Sequence, residues 1–202
     1  MKIGLVPISA KPYHAGHHSL VELAASQNDK VLLFVSISDR NRKDEFPISG
    51  ADMLRVWQDH LEDIMPGNVE IEYGGSPVRK VYEEIGKGCE EGSTDVYTVY
   101  SDPADTSANY PQKQKDKYMQ PMCNAGQVKF IGETDPNSVT RGIGTPDISG
   151  AQARKYLESG DSAAFASVMP ANADAESIFN ILTSGMKNEV ILKSYVSAIL
   201  KM

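Results

Sequence analysis

Apolar positions along the chain fall into short blocks that alternate between two periods. Ile3 to Ile8 is an apolar run closed by Ser9-Ala10-Lys11-Pro12, the pattern of a buried strand followed by a turn. Leu20, Val21, Leu23, Ala24 and Ala25 then predict a helix starting near Gly16. Lys30 to Ile37 is continuous and β-branched, as expected of a strand buried on both faces of a parallel sheet. Leu54, Trp57, Leu61 and Ile64 return at helical spacing with acidic residues between them. Val69 to Tyr73 reads as a strand, Val78 to Cys89 as a helix, and Asp95 to Tyr100 and Val128 to Ile131 as two more strands. Strand and helix alternating from the first residue predict an α/β fold. The expected form is a Rossmann-like open parallel sheet of about five strands with helices on both faces.

Two stretches depart from that rhythm. Residues 101–126 are polar and carry Pro103, Pro111 and Pro121, which predicts a long loop, either a lid or a solvated one. Its one helical stretch is expected around Gln112 to Met119. After Arg141-Gly142-Ile143-Gly144-Thr145-Pro146 the pattern is helical near 150–158, 162–168, 174–183 and 189–200, with breaks at Gly160, Pro170 and Gly185. The organisation expected is one domain over 1–202, with a core at 1–147 carrying the 101–126 loop and a helical C-terminal segment at 148–202.

Composition narrows the choice of partners. At 202 residues and 41% hydrophobic the chain can bury a core, while a net charge of -7 argues against non-specific nucleic-acid binding. An acidic protein that binds a polyanion must concentrate positive potential at helix N-termini and a few side chains. No apolar stretch approaches the ~20 residues of a membrane helix, so no membrane association is expected. Met1-Lys2-Ile3-Gly4-Leu5-Val6-Pro7 lacks a basic leader and an extended apolar region, so no secretory signal is expected. Cys89 and Cys123 are then expected as free thiols in a reducing compartment, the cytoplasm. Assembly into a homo-oligomer stays open.

Three of the four histidines, His14, His17 and His18, lie where the first strand gives way to the first helix. In open parallel sheets ligands bind beyond the carboxyl ends of the strands. A helix N-terminus there offers unpaired N–H groups and a positive dipole end. Gly16 would let a phosphate approach the backbone, and His14 and His17, three apart, share one face of the first turn. Plain surface polarity at a helix start is the bland alternative. Their spacing with His18 also suits a metal, but no Cys and no obvious Asp or Glu ligand lies close by in sequence, and no metal set is assigned. His18 is expected on the helix surface.

The segment Ser9-Ala10-Lys11-Pro12-Tyr13-His14-Ala15-Gly16-His17 resembles the signature of the HxGH nucleotidyltransferase superfamily. In that family a Phe-Asp-Pro-x-His-x-Gly-His stretch follows the first strand. Pro12, His14, Gly16 and His17 match, while Ala10 and Lys11 replace the usual aromatic and acidic residues. The family's second signature, Ile-Ser-Ser/Gly-Thr-x-x-Arg, resembles Ile148-Ser149-Gly150-Ala151-Gln152-Ala153-Arg154, with Ala151 in place of Thr. Ser149 and Gln152 have capping-box spacing, and Arg154 could fork onto phosphate oxygens. The chain contains its own control, because Ile48-Ser49-Gly50-Ala51 opens an earlier helix with the same letters, followed by Arg55. That copy shows the tetrapeptide to be partly helix-start chemistry.

The resemblance implies transfer of a nucleoside monophosphate from a nucleoside triphosphate to a small phosphorylated acceptor, with Mg²⁺ on the triphosphate. It implies catalytic roles for His14, His17 and Arg154, and nucleotide contacts from Ser9, Ala10, Gly16, Ser149 and Asp102, the last following the fourth strand. Lys11, Arg40 and Lys43 are the acceptor candidates, with Asp39, Arg42, Arg79 and Arg141 behind them. The glycine form of the second signature is similar to that of adenylyltransferases, notably nicotinamide-nucleotide adenylyltransferases of NAD biosynthesis. Tyr110 and Tyr118 could stack on a second nucleotide or simply pack. The alternatives are a CTP-dependent cytidylyltransferase of a phosphorylated alcohol, a non-catalytic nucleotide sensor and a metal-binding regulator. A class I aminoacyl-tRNA synthetase would need a lysine-rich signature and a tRNA-binding domain, for which the chain has no room.

Overall fold

The computed structural model describes residues 1–119, 123, 126–131, 140–141 and 144–184. Five strands, β1 (Lys2–Ile8), β2 (Lys30–Val35), β3 (Val69–Tyr73), β4 (Val96–Tyr100) and β5 (Val128–Ile131), form one sheet in the order β3-β2-β1-β4-β5. Every pairing is parallel, with Leu5 of β1 opposite both Leu32 and Val99. The α-helices are α1 (Ala15–Gln27), α2 (Gly50–Val56), continued by a π turn over Trp57–Leu61 and a 3-10 turn over Glu62–Ile64, α3 (Pro77–Glu90), α4 (Pro103–Asn109), α5 (Gln112–Tyr118), α6 (Gly150–Ser159) and α7 (Ser162–Ser167). Residues 175–184 are also helical. The α/β fold read from the sequence is the observed one.

Period-2 alternation sends the strand side chains into two cores. Val6, Ile8, Val31, Leu33 and Val35 join Val21 of α1, Met53 of α2, Leu157 of α6 and Phe165 of α7. Ile3, Leu5, Leu32 and Phe34 face the other way, onto Val81, Ile85 and Cys89 of α3. Those three α3 residues are four apart, one stripe of a helix. A parallel sheet covered on both faces needs both cores, and continuous apolar strands supply them.

The structure corrects two expectations. The segment 101–126 is not a long loop over its described part, since it holds α4 as well as α5. The missed signal was Asp102-Pro103: Asp102 Oδ1 accepts from Ala104 N at 2.8 Å as the cap, and proline sits where its missing N–H costs nothing. Of the two tyrosines left open between stacking and packing, Tyr110 is buried in the second core, its ring 5.2 Å from Phe130, while Tyr118 is 44% exposed and edge-on to Tyr82. Cys89 and Cys123 are joined as a disulfide, not free, with Cα atoms 5.0 Å apart. The expectation of free thiols falls with that bridge. The reason is tertiary: α3 and the segment after α5 converge over one sheet face, which no spacing of 34 residues reveals.

Helix boundaries in the C-terminal segment match the pattern, with Gly160 in the left-handed conformation (φ 73°) ending α6. The helix expected at 189–200 lies outside the described residues. Among the described residues no helix is long and apolar enough to cross a membrane.

The disulfide closes a loop of sequence separation 34, for which chain-entropy reasoning gives roughly 3–4 kcal/mol. Dithiothreitol should lower the denaturant midpoint of the wild type and leave that of Cys89→Ala unchanged. Equal midpoints for the wild type with and without reductant would show that the bridge does not form in solution.

Candidate active site

Strand order reverses between β1 and β4, where α1 and α4 depart to opposite faces, and a crevice is required at such a point. A cleft of about 250 Å³ opens there. Ser9, Ala10 and Lys11 border it from the turn after β1, and His14, Gly16 and His17 from the start of α1. Arg40 contributes from beyond β2, Asp102 from the end of β4, and Arg154 from α6. Sequence reasoning named all of these. Ser149 and Lys43 do not border it. Ser149 Oγ is the cap of α6, accepting from Gln152 N at 3.1 Å, and Lys43 is exposed in the turn after β2. The Gln152 side-chain amide nitrogen donates to Tyr156 OH at 3.0 Å, one turn further along α6. Arg79 pairs with Glu83 on the surface of α3, and the Arg141 side chain lies outside the described residues.

The two histidines act as a pair. Their rings stack with centroids 3.8 Å apart, and Tyr13, fully buried, lies nearly parallel to His17 at 5.6 Å. Tyr13 is itself wedged against Trp57, so the core reaches directly to the back of His17. Gly16 leaves room for this arrangement. A Cβ there would come within 3.1 Å of the His14 ring. His18 departs from the sequence expectation of a surface residue: it is buried, its Nδ1 is 3.1 Å from Tyr13 OH, and Glu22 is 3.7 Å away. Among the described residues no three His, Cys, Asp or Glu side chains are placed to hold a metal ion.

The cations are held from behind by the protein itself. Arg154 is buried, and its Nη1 donates to the Lys11 carbonyl at 2.8 Å. Gly150 makes room for that guanidinium, since a Cβ would lie 3.1 Å from Nη1. The Lys11 ammonium donates to the carbonyls of Ser36 and Ser38. It would have to leave them to meet an acceptor phosphate. Burial lowers its pKa, which Asp39 partly opposes. Arg40 grips Glu45 with both Nε and Nη2, at 2.7 and 3.0 Å. Arg154 Nε lies 3.2 Å from the same carboxylate, an ion-pair contact not aligned as a hydrogen bond. Desolvation pushes the Glu45 carboxyl up, but the Arg40 hydrogen bond and the charges of Arg154, Arg40 and Arg42 outweigh it and hold it below the usual range. Glu45 and Tyr13 were not singled out from sequence, and only Tyr13, inside the histidine signature, carried a signal.

The two copies of Ile-Ser-Gly-Ala part company here. Both serines cap their helices, Ser49 accepting from Asp52 N at 3.3 Å. Gly50, however, is required by the backbone of Ile37, whose carbonyl oxygen would sit 1.8 Å from a Cβ. Arg55 stays on the surface with Asp59, whereas Arg154 enters the cleft. No protein-family model matches the chain, and no curated protein matches it.

Burial lowers the His18 pKa, with Glu22 opposing. The unfolded chain therefore binds more protons than the folded one between the lowered value and the ordinary 6.5. Stability should be fully present above that ordinary value and fall as pH drops below it. Denaturant midpoints at successive pH values should show this slope, and His18→Gln should flatten it. An equal slope in the variant would place the proton elsewhere.

Proposed function

We propose that the protein is a nucleotidyltransferase of the HxGH kind. It would move a nucleoside monophosphate from a nucleoside triphosphate to a small phosphorylated acceptor and release pyrophosphate. One observation carries this reading. His14 and His17 stack at the N-terminus of α1, at the reversal of strand order, in the same cleft as Arg154. Neighbouring imidazoles and a helix dipole suit a phosphate whose charge grows in the transition state.

An acceptor phosphate oxygen attacks the α-phosphorus in line, a new phosphoanhydride bond forms, and the bond to the β-phosphate breaks with its electron pair leaving on pyrophosphate. The chain needs no covalent nucleophile for this, only positioning and fixed donors. His14 and His17 donate to oxygens on the reacting phosphate, and Arg154 holds the departing phosphates. Mg²⁺ would enter the cleft on the triphosphate, where Asp102 or Asp105 on the cleft wall would be the carboxylate to hold it. Bound there it would neutralise charge on the phosphates.

The glycine form of the second signature favours ATP as donor and a mononucleotide such as nicotinamide mononucleotide as acceptor. Tyr110 and Tyr118 lend that acceptor no support, since neither borders the cleft. Pyrophosphate release is the deciding measurement, with ATP or CTP crossed against nicotinamide mononucleotide and phosphorylated alcohols. Product with CTP and an alcohol phosphate alone would select the cytidylyltransferase reading. Nucleotide binding without pyrophosphate release would select a sensor.

His17→Ala should lower turnover by on the order of 10²–10³ in a folded protein, the loss expected for one preorganised donor. Near-normal turnover would remove His17 from the mechanism. Arg154→Lys should be nearly as damaging as Arg154→Ala, because an ammonium cannot both reach a phosphate and keep the fork geometry. Full activity of the lysine variant would reduce the residue's role to charge.

A further inference from the structure

Among the described residues, Glu45 is the carboxylate shared by two cleft arginines, and it lies outside the cleft wall. Arg40 and Arg154 come from opposite ends of the chain, beyond β2 and in α6, and both border the cleft. Side by side, two guanidinium groups repel. Here both converge on Glu45 Oε2, at 2.7 and 3.2 Å. Two structural details show that this contact is built in. Arg40 N donates to Ile48 O and Ile48 N to Arg40 O, so a closed turn presents Glu45 between them. Arg154 is independently fixed by Lys11 O and Gly150, so its position does not rest on Glu45 alone. What Glu45 changes is then charge. With the carboxylate in place the trio carries a net charge of one, and without it two.

We propose that Glu45 is a charge-setting residue of the cleft: through Arg40 and Arg154 it lowers the attraction for anions, so that a polyphosphate is held reversibly. That the natural anion is a triphosphate rests on the proposed function; the charge relation among the three side chains does not. A purely structural Glu45 predicts that losing either Glu45 or Arg40 loosens the trio and weakens anion binding. Charge setting predicts opposite signs for the two losses.

Inorganic pyrophosphate is the probe, titrated calorimetrically at low and at physiological salt. Glu45→Gln should bind it on the order of tenfold more tightly at low salt, a discounted value for one unit charge a few ångströms away, and the gain should shrink as salt rises. Arg40→Gln should bind it more weakly than wild type. The double variant Glu45→Gln/Arg40→Gln restores the charge sum and should return to within about threefold of wild type, a margin well inside the single-charge effect. The double variant also decides the matter if Glu45→Gln alone fails to fold. Unchanged, weaker or absent pyrophosphate binding in Glu45→Gln, or a double variant far weaker than wild type, overturns the proposal. The charge pattern without pyrophosphate release from any nucleotide would leave it standing and sink the transferase reading. Turnover with no effect of Glu45 on affinity would do the reverse.

Discussion

The cleft depends on β1 being buried on both faces in the middle of the sheet. Its neighbours are β2 on one side and β4 on the other, so the chain leaving β1 must exit where the strand order reverses. The turn that follows is left with backbone that neither sheet nor helix satisfies. The structure answers with charged side chains. Lys11 ties the turn to the end of β2 through the Ser36 and Ser38 carbonyls, and Arg154 ties α6 to the turn through the Lys11 carbonyl. One short turn thereby joins β2, α1 and α6. The histidines are placed by that junction and by the core behind it, through Trp57 and Tyr13.

An acidic chain therefore gathers cations at one point while keeping most of them occupied. Lys11 and Arg154 each serve a backbone carbonyl, and Arg40 is forked onto Glu45. Buried charge is tolerable only when it is paired or hydrogen-bonded, which explains why each cation has a partner facing away from the cleft. The same partners orient the donors in advance, and preorganised donors stabilise developing charge better than mobile ones.

The comparison of the two Ile-Ser-Gly-Ala segments shows what local sequence can carry. Serine capping is local, because the acceptor and the N–H three residues on belong to the same turn, and both copies do it. The glycines are not local. Gly50 yields to a carbonyl of the strand end, Gly150 to a guanidinium, and identical letters hide the difference. Tyr110 and Tyr118 illustrate the opposite limit, since an aromatic residue in a polar stretch suits stacking on a ligand and packing on a core equally well until α3 and β5 are in place.

What the sequence by itself determined was the alternation of elements, most of their ends, and the presence of His14, Gly16 and His17 at a strand-to-helix turn. Those features follow from periodicity and capping, which act over a few residues and leave their mark in neighbouring letters. Tertiary structure alone decided the Cys89–Cys123 pairing, the inward turn of His18 onto Tyr13, and the sharing of Glu45 by Arg40 and Arg154. The disulfide and the Glu45 contact with Arg154 join residues far apart in the chain. His18 is near Tyr13 in sequence, yet its ring meets a Tyr13 hydroxyl whose own ring packs on Trp57 and whose oxygen also reaches Met65. Such choices are made by packing across elements, and no local pattern records them.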